Sequence, residues 1–165
     1  MSMIGNLLKV SSSQIEQMLG EPEMATSLVY PQDGSYPEAP AALDLDKSWH
    51  LIHFLLTGTA WGGDGPLAAA ILGGEALEAT DAGYGPFRYL LPGDVKAVSA
   101  ALDEVEADRL WANFDADEVT AADIYASPWD GGEEEQQYVA QNFNDLKRFY
   151  REAAAADSGL LLYIS

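Results

Sequence analysis

LDLDKSWHLIHFLLTG, residues 43–58, is the stretch on which the reading of the chain turns. Asp44 or Asp46 can cap the start of a helix. Trp49, Ile52 and Leu56 repeat at helical spacing, and Gly58 stands where a left-handed glycine closes a helix. At 100° per residue, Asp46, His50, His53 and Thr57 fall within about 60° of one another. Leu45, Trp49, Ile52 and Leu56 flank that stripe on one side, Leu51 and Phe54 on the other. An apolar helix with one narrow polar stripe belongs inside a fold, so residues 45–57 are predicted to form its buried central helix.

Outward from this helix, the chain alternates short apolar runs with helical periods. MIGNLLKV, residues 3–10, reads as a strand. Ser13 and Glu16 have capping-box spacing for a helix that ends near Gly20. Prolines 22, 31, 37 and 40, with Gly34 and Ser35, make residues 30–42 an irregular surface segment. GTAWGGDGP, residues 58–66, is a glycine-rich loop before a short helix from Pro66 to Leu72, which Gly73 and Gly74 close. Phe87 to Leu91 reads as a strand, and residues 93–112 carry a helical period in which Leu110 is slightly out of phase. A short helix over 115–123 and a long one over 133–156 follow, the latter with Val139, Phe143, Leu146, Tyr150 and Ala153 on one face. LLLYI, residues 160–164, reads as a central strand. The pattern is α+β and helix-rich: one domain over residues 1–165, with a small sheet that includes the N- and C-terminal strands.

Composition narrows the class. The chain has 165 residues, 27 acidic against 8 basic, a net charge of −19, and no cysteine. By area scaling, a chain of this mass exposes roughly 8,000 Å² when folded and buries about 69% of its unfolded surface, enough for one core. Without cysteine there is neither a disulfide framework nor a thiolate nucleophile. Such acidity repels phosphates and argues against nucleic acid as a partner. No run of eighteen apolar residues exists to cross a membrane, and Met1 to Asn6 lack the basic flank and apolar stretch of a signal peptide. A soluble cytoplasmic protein is expected.

For chemistry, the polar stripe is the leading candidate. Asp46 could orient His50 or His53 for acid–base work, or the three could face a metal. Helical zinc motifs pair histidines four apart, however, and these are three apart, so neither a metal nor another cofactor is expected. The candidate ligand-binding set is Asp46, His50, His53 and Thr57, joined by Trp61 of the glycine loop and by Arg88. Arg88 is one of only eight cations and could hold an anionic group. The glycine loop lacks the Gly-Lys-Ser/Thr of a phosphate-binding loop, and no Gly-x-Ser-x-Gly occurs. No catalytic residue can be named.

Several of these stretches carry a resemblance: Met3-Ile4-Gly5, LDLDK with Trp49, residues 51–58, AILGG at 70–74, GYGP at 83–86, and Ile124-Tyr125 ahead of Trp129. Together they are similar to the YfbM-like family of uncharacterised bacterial proteins. The resemblance implies a single α+β domain and assigns no catalytic residue, cofactor or substrate. Two function classes follow from the residues. One is a binding module, for instance an immunity-type antagonist whose acidic face covers a basic protein. The other is a small-molecule enzyme or ligand sensor that uses the Asp46, His50 and His53 stripe.

At −19 the folded chain repels itself, and added salt screens that repulsion. Thermal melts from 20 to 300 mM NaCl are therefore expected to show a rising midpoint; a flat or falling series would mean that the charges are already compensated.

Overall fold

Strands pair when each buries a face that it cannot bury alone, and the two apolar runs furthest apart in sequence do so here. The computed structural model describes residues 2–165. Its strands are β1 (Gly5–Val10), β2 (Ala42–Asp44), β3 (Glu75–Ala76), β4 (Arg88–Leu90) and β5 (Gly159–Ile164). They form one antiparallel sheet in the order β2-β1-β5-β4-β3, so β5 is central, as its unbroken apolar sequence predicts. β1 and β5 pair along their whole length, from Gly5 opposite Ile164 to Val10 opposite Gly159. Mutual bonds between Ile4 and Ser165 extend the ladder at 2.8 and 3.0 Å.

The helices are α1 (Ser12–Gly20), α2 (Glu23–Val29), α3 (Trp49–Thr57), α4 (Pro66–Leu72), α5 (Pro92–Asp103), α6 (Ala107–Trp111), α7 (Ala116–Ala121) and α8 (Glu133–Ala155). Alternate strand residues point to opposite faces, and the sheet divides the core accordingly. Leu7, Leu160, Leu162 and Ile164 pack with Trp49, Ile52, Val98, Phe143 and Tyr150 beneath α3 to α8. Leu8, Val10, Leu161 and Tyr163 pack on the other face with Ile15, Met18, Ala25 and Phe87, covered by α1 and α2. The result is a single α+β domain whose folded surface is 8425 Å². No helix of the described residues is long and apolar enough to cross a membrane.

Several sequence expectations are corrected locally. The capping box lies two residues earlier than Ser13 and Glu16: the Ser11 hydroxyl accepts from the Gln14 amide at 3.0 Å, and the Gln14 side chain accepts from the Ser11 amide at 2.9 Å. Residues 30–42 are irregular up to Ala42, where β2 begins along β1. The expected helix over 93–112 is two helices, α5 and α6. At the break the Val105 carbonyl accepts from the buried Lys147 ammonium at 2.8 Å, and the second helix brings Leu110 into the core. α2, directly after Pro22, has no counterpart in the expected element list.

β1 approaches α3 closely. A Cβ on Gly5 would lie 2.5 Å from the Trp49 Cβ, well inside contact distance. Replacing Gly5 by Ala is expected to destabilise the fold by about 1–3 kcal/mol through overpacking. This should read as a melting midpoint lower by roughly 3–10 °C; an unchanged midpoint would contradict the tight seating of β1 on Trp49.

Candidate functional site

α3 is built by the residues in front of it. The Asp44 carboxylate accepts from the Asp46 amide at 2.6 Å, and the Ser48 hydroxyl donates to the Leu45 carbonyl at 2.6 Å. These bonds wind a 3-10 turn over Asp46–Ser48, in which Asp46 takes a left-handed φ of 51°. The helix then runs with Trp49, His50, Leu51, Ile52, His53 and Leu55 all buried, so it presents almost no solvent face. Gly58, at φ 77°, ends it, and its amide donates to the Phe54 carbonyl.

Both histidines are closed over by the glycine loop. His50 Nδ1 accepts from the Tyr125 amide at 2.9 Å, which places the proton on Nε2, and Nε2 donates to the Ala60 carbonyl at 2.8 Å. The ring lies between Trp49, stacked at 4.7 Å, and Trp61, tilted at 4.5 Å. His53 Nε2 bonds the Gly62 carbonyl at 2.9 Å, and its buried Nδ1 has no hydrogen-bond partner among the described residues. Burial holds the His50 imidazole below its ordinary range, against the opposing pull of the Ala60 bond and the Asp123 charge. Burial pushes His53 down to about 4, with the Gly62 bond opposing and His50 and Arg88 adding to the shift. Two neutral imidazoles therefore serve as backbone clasps on this loop.

The other members of the expected set divide. The Thr57 hydroxyl donates to the His53 carbonyl at 2.9 Å and accepts from the Thr59 amide at 3.1 Å, which ties the loop to the helix end. Trp61 covers His50 on one side and is otherwise 63% exposed. Asp46 does not join the stripe, because the 3-10 turn carries it off the helix face. Its carboxylate accepts from the Tyr138 hydroxyl at 2.7 Å, and that oxygen accepts from the Lys47 amide at 3.0 Å. Arg88 donates to the Ile71 and Gly73 carbonyls at 3.2 and 2.9 Å, capping the C-terminal end of α4. Burial lowers its guanidinium to about 10, with Tyr150 opposing. His50, His53, Thr57 and Trp61 are thus brought together, Arg88 lies near enough for His53 to feel its charge, and Asp46 stands apart. Among the described residues, no group of three or more His, Asp or Glu side chains is arranged to hold a metal.

A different concave surface had only a partial signal in the sequence. A hollow of about 400 Å³ opens between α3, α4 and α6, lined by Leu55, Leu56, Leu67 and Leu110, with Glu104 and Arg109 also on its wall. A second hollow of about 350 Å³ shares Leu55, Leu56 and Asn113 with the first and reaches Phe54 and Glu118. Residues 104–118 supply part of both walls, where the charged side chains are Glu104, Glu118 and the cation Arg109. The acidic run Asp115, Asp117 and Glu118 is legible as a helix start, and Asp115 does cap α7. Its position beside a leucine-lined hollow depends on the packing of α3.

Because His53 is neutral in the fold and ordinarily titrates near 6.5, the unfolded chain binds the extra proton between about pH 6.5 and 4. Stability from this group is full above pH 6.5 and lost as pH falls towards 4. Relative to a His53→Gln variant, the wild type is expected to lose on the order of 2 kcal/mol between pH 7 and 4.5. Denaturant titrations at both pH values check this; an equal loss in the two proteins would contradict the buried neutral imidazole.

A family described as Domain of unknown function (DUF1877) matches residues 1–163. Among solved structures, the chain is similar to the protein of unknown function YfbM from Escherichia coli, at a TM-score of 0.72 and 24% identity, over 98% of this chain and 99% of that one. At that identity the likeness speaks for the fold alone. No curated protein matches the chain. With the family match running from residue 1 to residue 163, the chain belongs to the DUF1877 family.

Proposed function

We propose that the protein is an acidic binding module that engages a basic protein partner in the bacterial cytoplasm, in the manner of an immunity-type antagonist that covers a basic surface. One observation carries this reading: a leucine-lined hollow has Glu104 on its wall and adjoins a second that reaches Glu118, in a chain of net charge −19. An apolar floor with a charged rim is the composition of a protein interface, where the floor supplies affinity and the rim supplies selection and speed of encounter. The cations are largely spent within the molecule. Lys9, Lys96, Lys147, Arg148 and Arg151 each pair with a carboxylate, leaving 22 of the 27 acidic side chains outside any ion pair among the described residues. In this reading the partner is neither nucleic acid nor an anionic membrane, both of which the same field repels.

A second reading, a small-molecule enzyme or sensor, is favoured by the unpaired Nδ1 of His53, which could accept a hydrogen bond from a ligand beneath the Trp61 loop. Both ring nitrogens of His50 and one carboxylate oxygen of Asp46 are already engaged by the protein, which weighs against it. A ligand that raised the melting midpoint in proportion to the logarithm of its concentration, in the wild type but not in His53→Gln, would favour it.

The binding reading is tested by affinity capture at 50 and 500 mM NaCl, with the wild type and with a Glu104→Lys, Glu118→Lys variant. The expected partner is basic, is released by high salt, and is lost to the charge-reversed variant at low salt. Retention of neutral or acidic proteins, or retention indifferent to both salt and charge reversal, overturns it.

A further inference from the structure

At the β2 edge of the sheet lies a cavity of about 530 Å³ that takes no part in the reading above. Strand register builds its rigid wall. Asn6 is paired with Asp44 on one side and with Tyr163 on the other, so Asp44, Asn6 and Tyr163 form one row across β2, β1 and β5 on a single face. Tyr30, Tyr36 and Glu38, from the end of α2 and the segment after it, and Ser165 complete the polar lining. No Lys or Arg lines this cavity.

Two tyrosines here are not explained by packing alone. Tyr36 is 72% exposed, in a chain with few large side chains so displayed. Tyr163 is the converse: it is only 6% exposed and packs against Phe87 at 5.2 Å, yet its hydroxyl makes no hydrogen bond to a described residue. Burial, with Tyr30 and the Asp44 carboxylate close by, keeps that phenol protonated, so it offers one O–H donor as well as lone pairs that accept. The residue is held by the core while its hydroxyl opens onto the cavity, within reach of a bound group.

We propose that this cavity is a binding site for an organic cation, an alkylammonium or guanidinium group, held by Asp44 and Glu38 and seated against the rings of Tyr30, Tyr36 and Tyr163. Nitrogen donors of such a group satisfy the carboxylates through charge-assisted hydrogen bonds and reach the free Tyr163 oxygen. Phenol rings attract a cation through their electron-rich faces. A neutral sugar would leave both carboxylate charges unmatched, and an anion would be repelled. The site is separate from the leucine-lined hollow, and its existence does not depend on that hollow binding a protein.

The test is an NMR titration in 150 mM NaCl with agmatine and with the peptide Gly-Gly-Arg-Gly-Gly amide, using glucose and butyrate as controls. Saturable shifts confined to the ring signals of Tyr30, Tyr36 and Tyr163 are expected from at least one of the two cations and from neither control. Glu38→Gln, at an exposed position, should weaken binding at least fivefold, and Tyr163→Phe at least threefold with its melting midpoint retained. A Glu78→Gln variant, altered beyond the opposite, β3 edge of the sheet, should bind as the wild type does. Tighter binding of agmatine identifies a free amine as the occupant, and tighter binding of the peptide a protein side chain. Failure of both cations, shifts spread over the surface without saturation, equal affinity in Glu38→Gln, or the same response to glucose overturns the site.

Discussion

Everything in this fold hangs on the antiparallel pairing of β1 with β5. Six residue pairs, from Gly5 with Ile164 to Val10 with Gly159, make β5 a strand with neighbours on both sides and all six of its residues buried. The alternation of its side chains then dictates two cores: Leu160, Leu162 and Ile164 feed the helices from α3 onward, while Leu161 and Tyr163 feed α1 and α2. Close approach is part of the same constraint. Gly159 lies where a Cβ would come within 2.5 Å of Ile15 and 2.7 Å of the Leu90 carbonyl, and Gly5 lies against Trp49. Side chains at these two positions would prise apart the layers that the pairing brings together.

The histidines show how a polar group is accommodated in such an interior. A buried polar atom without a partner costs about 1–3 kcal/mol. His50 avoids that by using both ring nitrogens, one on the Tyr125 amide and one on the Ala60 carbonyl. A loop with glycines at 58, 62, 63 and 65 has backbone free to fold down over the helix, and positive φ at all four positions reflects that use. Trp61, tilted against His50, covers the clasp from outside. The same contacts that make the imidazoles look functional in sequence also consume most of their bonding capacity.

Periodicity made the helices and the two long strands legible, because burial on one face leaves a repeat in the sequence. Gly58 and the Pro66–Leu72 helix stand where their residues place them. Strands of three and two residues, β2 and β3, carry no period and are visible only through their partners. The split between α5 and α6 falls where the Val105 carbonyl meets Lys147, some forty residues downstream, a contact that no local pattern displays. Asp46 left the stripe because Asp44 capped its amide and turned the chain before the helix began. The hollow near Leu56 and the row Asp44, Asn6 and Tyr163 arise from contacts between distant segments. Only their ingredients, leucines, carboxylates and tyrosines, were there to be read.

The distance in sequence between the two central strands has a consequence for biosynthesis. Lys9 and Leu160 are partners in the sheet, yet some 150 residues separate them along the chain. At translation rates of about 5–20 residues per second, β1 waits roughly 8–30 s on the ribosome before its main neighbour exists. During that interval its apolar residues have only the short β2 edge to pair with. The native sheet therefore cannot close until residues 159–164 have been made, and the helices made before then have no complete sheet to pack on.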